Sequence, residues 1–300
     1  MDIRFDNKTA IVTGAGIGLG RSYALLLASR GARVVVNDMG GSMDGSGHSE
    51  TPAQKVVDEI RAQGGEAVAD YNDISSIQGA GSVVKACCDA YGKVDILINS
   101  AGILRDKSFA KMEMADFEKV ISVHLLGTVY MTKAVYPIML ENKYGRIVNT
   151  TSAAGLYGNF GQTNYGAAKM GIVGFMNALK QEGAKHNILV NTVAPIAATR
   201  MGEGVYPEAV LSALKPELVA AVVAYLSSEQ CTLSGEIISA GGGYYAKVQI
   251  VESRGVRFKP TDSVTPELIA DRLPDITKME GAVHFGSAIE EVMAMFKHLL

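Results

Sequence analysis

The chain alternates short apolar runs with longer stretches of helical periodicity. Residues 9–13 contain three apolar residues in succession, which is typical of a strand buried on both faces of a sheet. A helix is predicted over residues 21–30, and a second apolar run at residues 34–36 leads to Asn37 and Asp38. Because strands that alternate with helices are characteristic of βαβ units, the pattern predicts an α/β fold with a parallel sheet.

The same rhythm continues to about residue 240. A stretch rich in Gly and Ser at residues 40–49, here called the 40–49 loop, is expected to be mobile, and Thr51-Pro52 predicts a helix that ends at Gly64-Gly65. Further strands are predicted at residues 67–70, 94–99, 146–151, 188–193 and 236–239. With the first two they make a sheet of seven strands.

Beyond residue 245 the alternation stops. A strand or edge ribbon is predicted at residues 247–251, and Thr265-Pro266 predicts the start of a short helix. Residues 287–299 predict an amphipathic helix whose apolar face carries Ile289, Val292, Met293 and Phe296. We therefore predict a main domain, residues 1–245, and a C-terminal extension, residues 246–300, that packs on the main domain or on a second subunit.

Composition and charge narrow the classes of function. With 48% hydrophobic residues in 300, the chain can bury a full core. The balance of 28 basic against 31 acidic residues disfavours a nucleic-acid binder, which would normally carry a basic surplus. No long apolar run predicts a membrane span, and the charged start disfavours a signal peptide. Three cysteines without a C-x-x-C motif favour a reducing compartment and no structural metal site.

A glycine-rich turn is predicted between the first strand and the first helix. Backbone N–H groups at a helix N-terminus attract a diphosphate, and glycines let the chain approach it closely. The spacing Gly14-x-x-x-Gly18-x-Gly20 differs from the common G-x-G-x-x-G motif, so its place after a buried strand is what favours a phosphate loop over a plain turn. The predicted cofactor-binding residues here are Gly14, Gly16, Ile17, Gly18 and Gly20.

Asp38 ends the second strand. A carboxylate there can hydrogen-bond both ribose hydroxyls of an adenosine and would repel a 2′-phosphate, which predicts NAD rather than NADP as the cofactor. A turn-forming aspartate is the alternative.

Three residues suggest acid–base chemistry. Tyr165 and Lys169 are four apart and would share one helix face, while Ser152 follows a predicted strand at the edge where parallel sheets bind ligands. A free tyrosine has a pKa of about 10, and both a nearby ammonium and the cation of a nearby nicotinamide ribose favour its phenolate. Tyr165 is therefore predicted to be the general base and Ser152 to hold the substrate oxygen. Viewed singly, a structural Tyr and a surface Lys remain alternatives.

Taken together, these motifs resemble one enzyme family. The glycine-rich turn, Asn99-Ser100-Ala101-Gly102, Ser152 and Tyr165-x-x-x-Lys169 occur in the order of the short-chain dehydrogenase/reductase family over about residues 5–245. The resemblance implies a Rossmann-type doubly wound parallel sheet of seven strands and a homodimer or homotetramer. It also implies further cofactor-site residues: Asp73 and Ile74 beside the adenine, Asn99 steadying the central strand, Ala101, Gly102, Tyr165, Lys169 and Pro195.

His124 departs from the commonest family pattern. It matches the fourth catalytic position, usually Asn, whose bent main chain anchors a water in the family; a buried His satisfied by a carbonyl is the alternative. His124 and residues 36–41, 102–109 and 157–162 resemble a narrower group, the (3R)-hydroxyacyl-CoA dehydrogenase part of peroxisomal multifunctional enzymes of type 2. The vertebrate form of that part is also named a 17β-hydroxysteroid dehydrogenase.

The narrower resemblance implies NAD-dependent interconversion of a (3R)-hydroxyacyl-CoA and a 3-ketoacyl-CoA. Oxidation of a free steroid or other secondary alcohol, and a catalytically silent dinucleotide-binding scaffold, remain alternatives. Coenzyme A would favour a basic rim, for which the sequence offers Arg105, Lys107, Arg200, Lys215, Arg254, Arg257 and Lys259. Because the last four residues differ from the peroxisomal Ser-Lys-Leu signal, we expect a cytoplasmic enzyme.

Overall fold

The computed structural model describes residues 2–197 and 212–297. The chain divides into two compact units, residues 1–247 and 248–300. The larger unit contains an eight-stranded sheet in the order β3-β2-β1-β4-β5-β6-β7-β8. Its strands are β1 Thr9–Thr13, β2 Arg33–Asn37, β3 Glu66–Asp70, β4 Ile96–Asn99, β5 Gly145–Thr150, β6 Ile188–Pro195, β7 Ile237–Gly241 and β8 Tyr244–Val248.

Seven of the strands are parallel, as the sequence predicts. The pairs from β1–β2 to β6–β7 all run in the same direction, with Val12 opposite Val36 on one side and opposite Ile98 on the other. Every residue of β1, β4 and β5 is buried. This burial explains why the middle of each strand is an apolar run without polar alternation.

The prediction of seven strands was one short. The ribbon expected at residues 247–251 begins earlier, at Tyr244, and joins the sheet as β8. Gly242 and Gly243 have φ angles of 57° and 82°, which suit the two-residue turn that links antiparallel neighbours. The eighth strand therefore follows from a hairpin turn rather than from a further helical crossover.

Helices cover both faces of the sheet. They are α1 Gly18–Ser29, α2 Thr51–Ala62, α3 Ile77–Tyr91, α4 Met114–Ile121, α5 Gly127–Asn142, α6 Ala153–Tyr157, α7 Thr163–Gly183 and α8 Pro216–Ser227. A π-helical turn, Ser122–Leu126, joins α4 to α5. β2 and β3 lie on one side of β1, whereas β4 and the later strands lie on its other side. Such a switch point in a parallel sheet opens a crevice at the carboxyl ends of the strands.

The smaller unit contains two helices, α9 Pro266–Ile276 and α10 Ala288–Phe296. The Thr265 hydroxyl accepts the Leu268 N–H at 3.3 Å, which confirms the predicted start of α9. The four apolar residues predicted on one face of the last helix are exposed, Ile289 at 75%. What this unit packs against stays a prediction.

Neither unit contains, in its described residues, a helix that is long and apolar enough to cross a membrane.

Asp95 connects strands at the amino edge of the sheet, the edge opposite the crevice. It is 4% exposed, accepts the Thr9 N–H at 2.8 Å and pairs with Lys93 at 2.8 Å. Replacing Asp95 with Ala leaves a buried N–H and a lysine without this carboxylate, so we expect the free energy of unfolding in urea to fall by about 1–3 kcal/mol. Asp89→Ala, which breaks an exposed pair with Lys85, is the matched control and should cost about 0.5 kcal/mol or less. Equal effects of the two changes would contradict the assigned role of Asp95.

Candidate active site

A cleft of about 690 Å³ opens at the carboxyl ends of β1, β2, β4, β5 and β6. It is lined by most of the residues predicted from the sequence: Gly14, Ile17, Gly18, Gly20, Asp38, Asp73, Ile74, Ala101, Gly102, His124, Ser152, Tyr165, Lys169 and Pro195. Residues from positions 14 to 195 therefore meet in one place, as the topology of a parallel sheet requires.

Two predicted cofactor residues lie outside the lining. Gly16 donates its N–H to Asp38 Oδ2 at 2.8 Å, so it holds the carboxylate in place without lining the cleft itself. Asn99 is buried and donates to Asn149 Oδ1 on β5 at 2.9 Å. The placement of Asn99 fits the expectation that it steadies the central strand.

The glycine-rich turn fits a diphosphate. It leads directly into α1, whose first N–H groups are free of helical partners and favour an anion. Gly14 has a φ of 65°, and a Cβ on it would lie 2.6 Å from Ala101 Cα. A Cβ on Gly20 would lie only 2.2 Å from the Gly14 carbonyl oxygen. The turn therefore packs too closely for side chains at these two positions, which leaves its backbone accessible from the cleft.

Asp38 is fixed by two backbone N–H groups. Its Oδ1 accepts from Gly40 at 2.7 Å and its Oδ2 accepts from Gly16 at 2.8 Å. Each carboxylate oxygen can accept a second bond, so the side chain is held in place yet can still bind two ribose hydroxyls. The residues present therefore fit an adenosine ribose at this end of the cleft.

A cluster of two amides and one carboxylate supports the wall beside Asp38, and sequence reasoning missed it. Asn37 and Asp70 are buried, while Asn72 is exposed. Asn37 Nδ2 donates to Asp70 Oδ1 at 2.8 Å and to the Asn72 carbonyl at 3.0 Å. Asn72 Nδ2 donates to Asp70 Oδ2 at 2.8 Å. This cluster fixes the ends of β2 and β3 immediately before Asp73. Only the run of short polar residues at the ends of two strands could have suggested it.

Ser152, Tyr165 and Lys169 lie around one point of the cleft. Ser152 is the N-cap of α6 and accepts the Ala154 N–H at 3.2 Å. Its side chain also hydrogen-bonds Tyr165. Lys169 Nζ lies 5.6 Å from the centre of the Tyr165 ring and donates to the Thr150 carbonyl at 2.7 Å. The side chains of the Tyr and the Lys are therefore on the same side of α7, as their spacing predicts.

The electrostatics differ from the simplest expectation. Burial raises the pKa of Tyr165, the hydrogen bond from Ser152 lowers it, and the Asp106 carboxylate raises it. Burial also lowers the pKa of Lys169 to about 7. In the chain by itself, the burial that brings the two groups together therefore disfavours the charged forms of both the phenol and the ammonium. That Lys169 and a cofactor cation together favour the phenolate stays a prediction.

His124 lies in the π-helical turn and is 2% exposed. Its Nε2 is 2.8 Å from the Ile103 carbonyl oxygen and 3.0 Å from the Ile103 nitrogen, and its ring meets the Tyr165 ring edge-on at 5.1 Å. Burial, with the charge of Lys169, lowers the pKa of His124 to about 3, so the imidazole is neutral. A Cβ on Gly102 would lie 2.3 Å from His124 Cε1, which explains that glycine. A catalytic role for His124 stays a prediction.

Several lining residues were not predicted from the sequence. They include four residues of the 40–49 loop, Gly41, Ser42, Met43 and Gly45, and residues from elsewhere in the chain, Ile103, Leu104, Asp106, Lys119, Tyr157, Asn159 and Gln162. Two residues of the expected basic rim, Arg105 and Lys107, both pair with Asp116, and Arg200 lies outside the described residues. In the described part of the chain, no group of three His, Cys, Asp or Glu side chains could hold a metal ion.

Comparison with known proteins supports the assignment of this cleft as an active site. The short chain dehydrogenase family matches residues 8–208. Peroxisomal multifunctional enzyme type 2 of Drosophila melanogaster is 49% identical over 290 residues, which are 96% of this chain but 48% of that protein. This chain thus spans about half the length of that relative. The solved structure of the Drosophila enzyme superposes with a TM-score of 0.84 and 41% identity, covering 99% of this chain and 50% of that one.

Two further relatives are closer to this chain in length. A short-chain type dehydrogenase/reductase of Mycobacterium tuberculosis is 47% identical over 92% of this chain and 96% of its own length. A 7α-hydroxysteroid dehydrogenase, solved with NADH and 7-oxo glycochenodeoxycholic acid, is 32% identical with a TM-score of 0.72, covering 80% of this chain and 95% of that one. The family match, these relatives and the converging motif residues establish that the chain belongs to the short-chain dehydrogenase/reductase family, as an oxidoreductase that uses a nicotinamide dinucleotide.

Proposed function

We propose that this protein interconverts a (3R)-hydroxyacyl-CoA and a 3-ketoacyl-CoA with NAD, using Tyr165 as the proton acceptor. The observation that carries the chemistry is the convergence of Ser152, Tyr165 and Lys169 in the cleft that also contains Asp38. The substrate class rests on the resemblance to the dehydrogenase part of the multifunctional enzymes and on the 49% identity to one of them.

The position of each residue in the cleft determines its proposed role. A bound nicotinamide would accept a hydride from the carbinol carbon of the alcohol. Ser152 orients the alcohol oxygen, because its hydroxyl is fixed as the cap of α6 and lies beside Tyr165. The Tyr165 oxygen takes the hydroxyl proton during oxidation and returns it during reduction. When protonated, Lys169 can stabilise the phenolate and hydrogen-bond a ribose hydroxyl.

A free steroid alcohol is the second candidate substrate. The similarity to a 7α-hydroxysteroid dehydrogenase favours it, since that enzyme shares the fold over 80% of this chain. Both candidates use the same three side chains, so the difference lies in what binds outside them. A cytoplasmic location and a homo-oligomeric state remain proposals.

Tyr165→Phe tests the proton acceptor. The change removes one oxygen, and we expect kcat for alcohol oxidation to fall by about a thousandfold while NADH affinity stays near that of the wild type. Burial raises the pKa of Tyr165 and a bound cationic cofactor would lower it, so wild-type oxidation at saturating NAD should accelerate as the pH rises from about 6 to 10, through the pKa of the phenol in the cofactor complex. Initial rates across this range, with NADH fluorescence as the binding control, give the result. Substantial turnover by the variant would refute the assignment.

Asp38→Asn tests the choice of cofactor. The wild type should use NAD at least about a hundredfold more efficiently than NADP, because the carboxylate would repel a 2′-phosphate at close range. The amide keeps one acceptor oxygen but removes the charge, so the preference for NAD should shrink by about tenfold or more. The measurement is kcat/KM for each cofactor at fixed substrate. Equal use of NAD and NADP by the wild type would overturn the NAD proposal.

A screen of candidate alcohols tests the substrate class. It measures the contribution of the acyl group and that of coenzyme A separately. We expect the 3R isomer of a hydroxyacyl-CoA to be oxidised faster than the 3S isomer and faster than steroid alcohols. The pantetheine thioester of the same acid lacks the adenosine phosphates of coenzyme A, so its KM should be about tenfold higher if a basic rim binds them.

Each other outcome of the screen identifies an alternative. Better turnover of a steroid than of any acyl-CoA would favour the second candidate. NADH binding without turnover of any alcohol would favour the silent scaffold.

A further inference from the structure

The 40–49 loop has a defined internal structure. At its base, Ser49 donates its N–H to the Met39 carbonyl at 2.9 Å. At its tip, Asp44 Oδ1 accepts the Ser46 N–H at 3.0 Å, the Ser46 hydroxyl at 2.7 Å and the Ser42 hydroxyl at 2.9 Å. These bonds lower the pKa of Asp44 to about 2. A closed base and an internally bonded tip are typical of a compact surface loop rather than of an unstructured one.

This loop crosses the glycine-rich turn. Its base is at the carboxyl end of β2, next to Asp38. Its tip contacts the segment that follows β4, where Leu104 donates its N–H to the Met43 carbonyl at 2.9 Å and Arg105 Nε donates to the Asp44 carbonyl at 2.8 Å. Because β1 lies between β2 and β4, the loop spans the end of β1. That is where the turn expected to bind the diphosphate begins.

Arg105 connects the loop tip to α4 and to α7. The NH1 group of its guanidinium pairs with Asp116 of α4 at 2.9 Å. Its backbone carbonyl accepts Asn164 Nδ2 at 3.0 Å. Asn164 is fully buried and directly precedes Tyr165. The loop is therefore anchored to the same segment that holds the start of the catalytic helix.

We propose that Arg105 is a positioning residue for the cofactor: it holds the 40–49 loop closed over the diphosphate of the bound dinucleotide. Gly41, Ser42, Met43 and Gly45 then form the outer wall of the cleft at that point. A hydrogen bond from a charged donor is stronger than one between neutral groups, so the Arg105–Asp44 bond is a principal anchor of an otherwise exposed tip. The inference depends on a dinucleotide cofactor, but not on which alcohol is oxidised.

Arg105→Met tests the anchor without any substrate. The methionine keeps much of the apolar length but cannot donate, so we expect the dissociation constant of NADH to rise by about tenfold, mainly through faster dissociation. ADP-ribose, which has the diphosphate and lacks the nicotinamide, should lose affinity by a similar factor. Titrations by NADH fluorescence, stopped-flow release and competition by ADP-ribose provide these values.

Two variants separate anchoring from a general structural effect. Lys107→Met is the matched control, because Lys107 pairs with the same Asp116 while its backbone bonds to Gly161 rather than to the loop. Its NADH affinity should stay at the wild-type value. Arg105→Lys keeps one donor, which can reach either Asp44 or Asp116 but cannot bond both as the guanidinium does, so affinity should recover in part.

Asp44→Ala tests the same loop through a change within its tip rather than in its anchor. It removes the three bonds that the Asp44 carboxylate accepts within the tip and leaves Arg105 intact, so it should raise the NADH dissociation constant and speed amide hydrogen exchange at residues 42–46 in the NADH complex. Arg105→Met should accelerate exchange at the same amides.

Three results would overturn the proposal. These are unchanged NADH affinity in Arg105→Met, an equal loss in Lys107→Met, or a loss confined to NADH with ADP-ribose unaffected. A wild type that binds NADPH instead of NADH would refute only the NAD assignment, and the same comparison would then be made with NADPH.

Discussion

The active site depends on a reciprocal pair of hydrogen bonds between the end of β5 and α7. Lys169 Nζ donates to the Thr150 carbonyl at 2.7 Å, and the Thr151 hydroxyl donates to the Lys169 carbonyl at 2.7 Å. A Cβ on Gly155 would lie 2.7 Å from Lys169 Cβ, so α6 can approach α7 only because that residue is glycine. These contacts fix Ser152, Tyr165 and Lys169 relative to one another before any ligand binds.

The same close packing sets the electrostatics of the site. Lys169 is 3% exposed, and burying an ammonium that has no carboxylate partner among the described residues favours its neutral form, which is why its pKa falls to about 7. His124 is buried and Tyr165 partly buried, and burial favours the neutral form of both side chains. The cleft is thus poor in charge around the reacting atoms. A cationic nicotinamide beside the phenol would be the largest local charge and would favour the phenolate.

Much of this architecture was predictable from the sequence because the signals are local. Apolar runs such as residues 9–13 must be buried strands, and the order of the glycine-rich turn, Ser152, Tyr165 and Lys169 predicted one shared cleft. What the sequence did not reveal depends on contacts between distant residues. The Asn37–Asp70–Asn72 cluster, the contact of the 40–49 loop with Arg105 and the burial around Tyr165 all arise from packing. The ribbon predicted near residue 247 begins earlier than expected, because the positive φ angles of Gly242 and Gly243 form a tight turn.

We infer that the Tyr165 phenol becomes acidic when a cationic cofactor lies beside it. The most direct measurement is a tyrosinate absorbance titration of wild type minus Tyr165→Phe, without cofactor and with saturating NAD. We expect the pKa of Tyr165 to lie above its ordinary value in the free protein and to fall clearly when NAD binds. The same pKa in both states would contradict the claim.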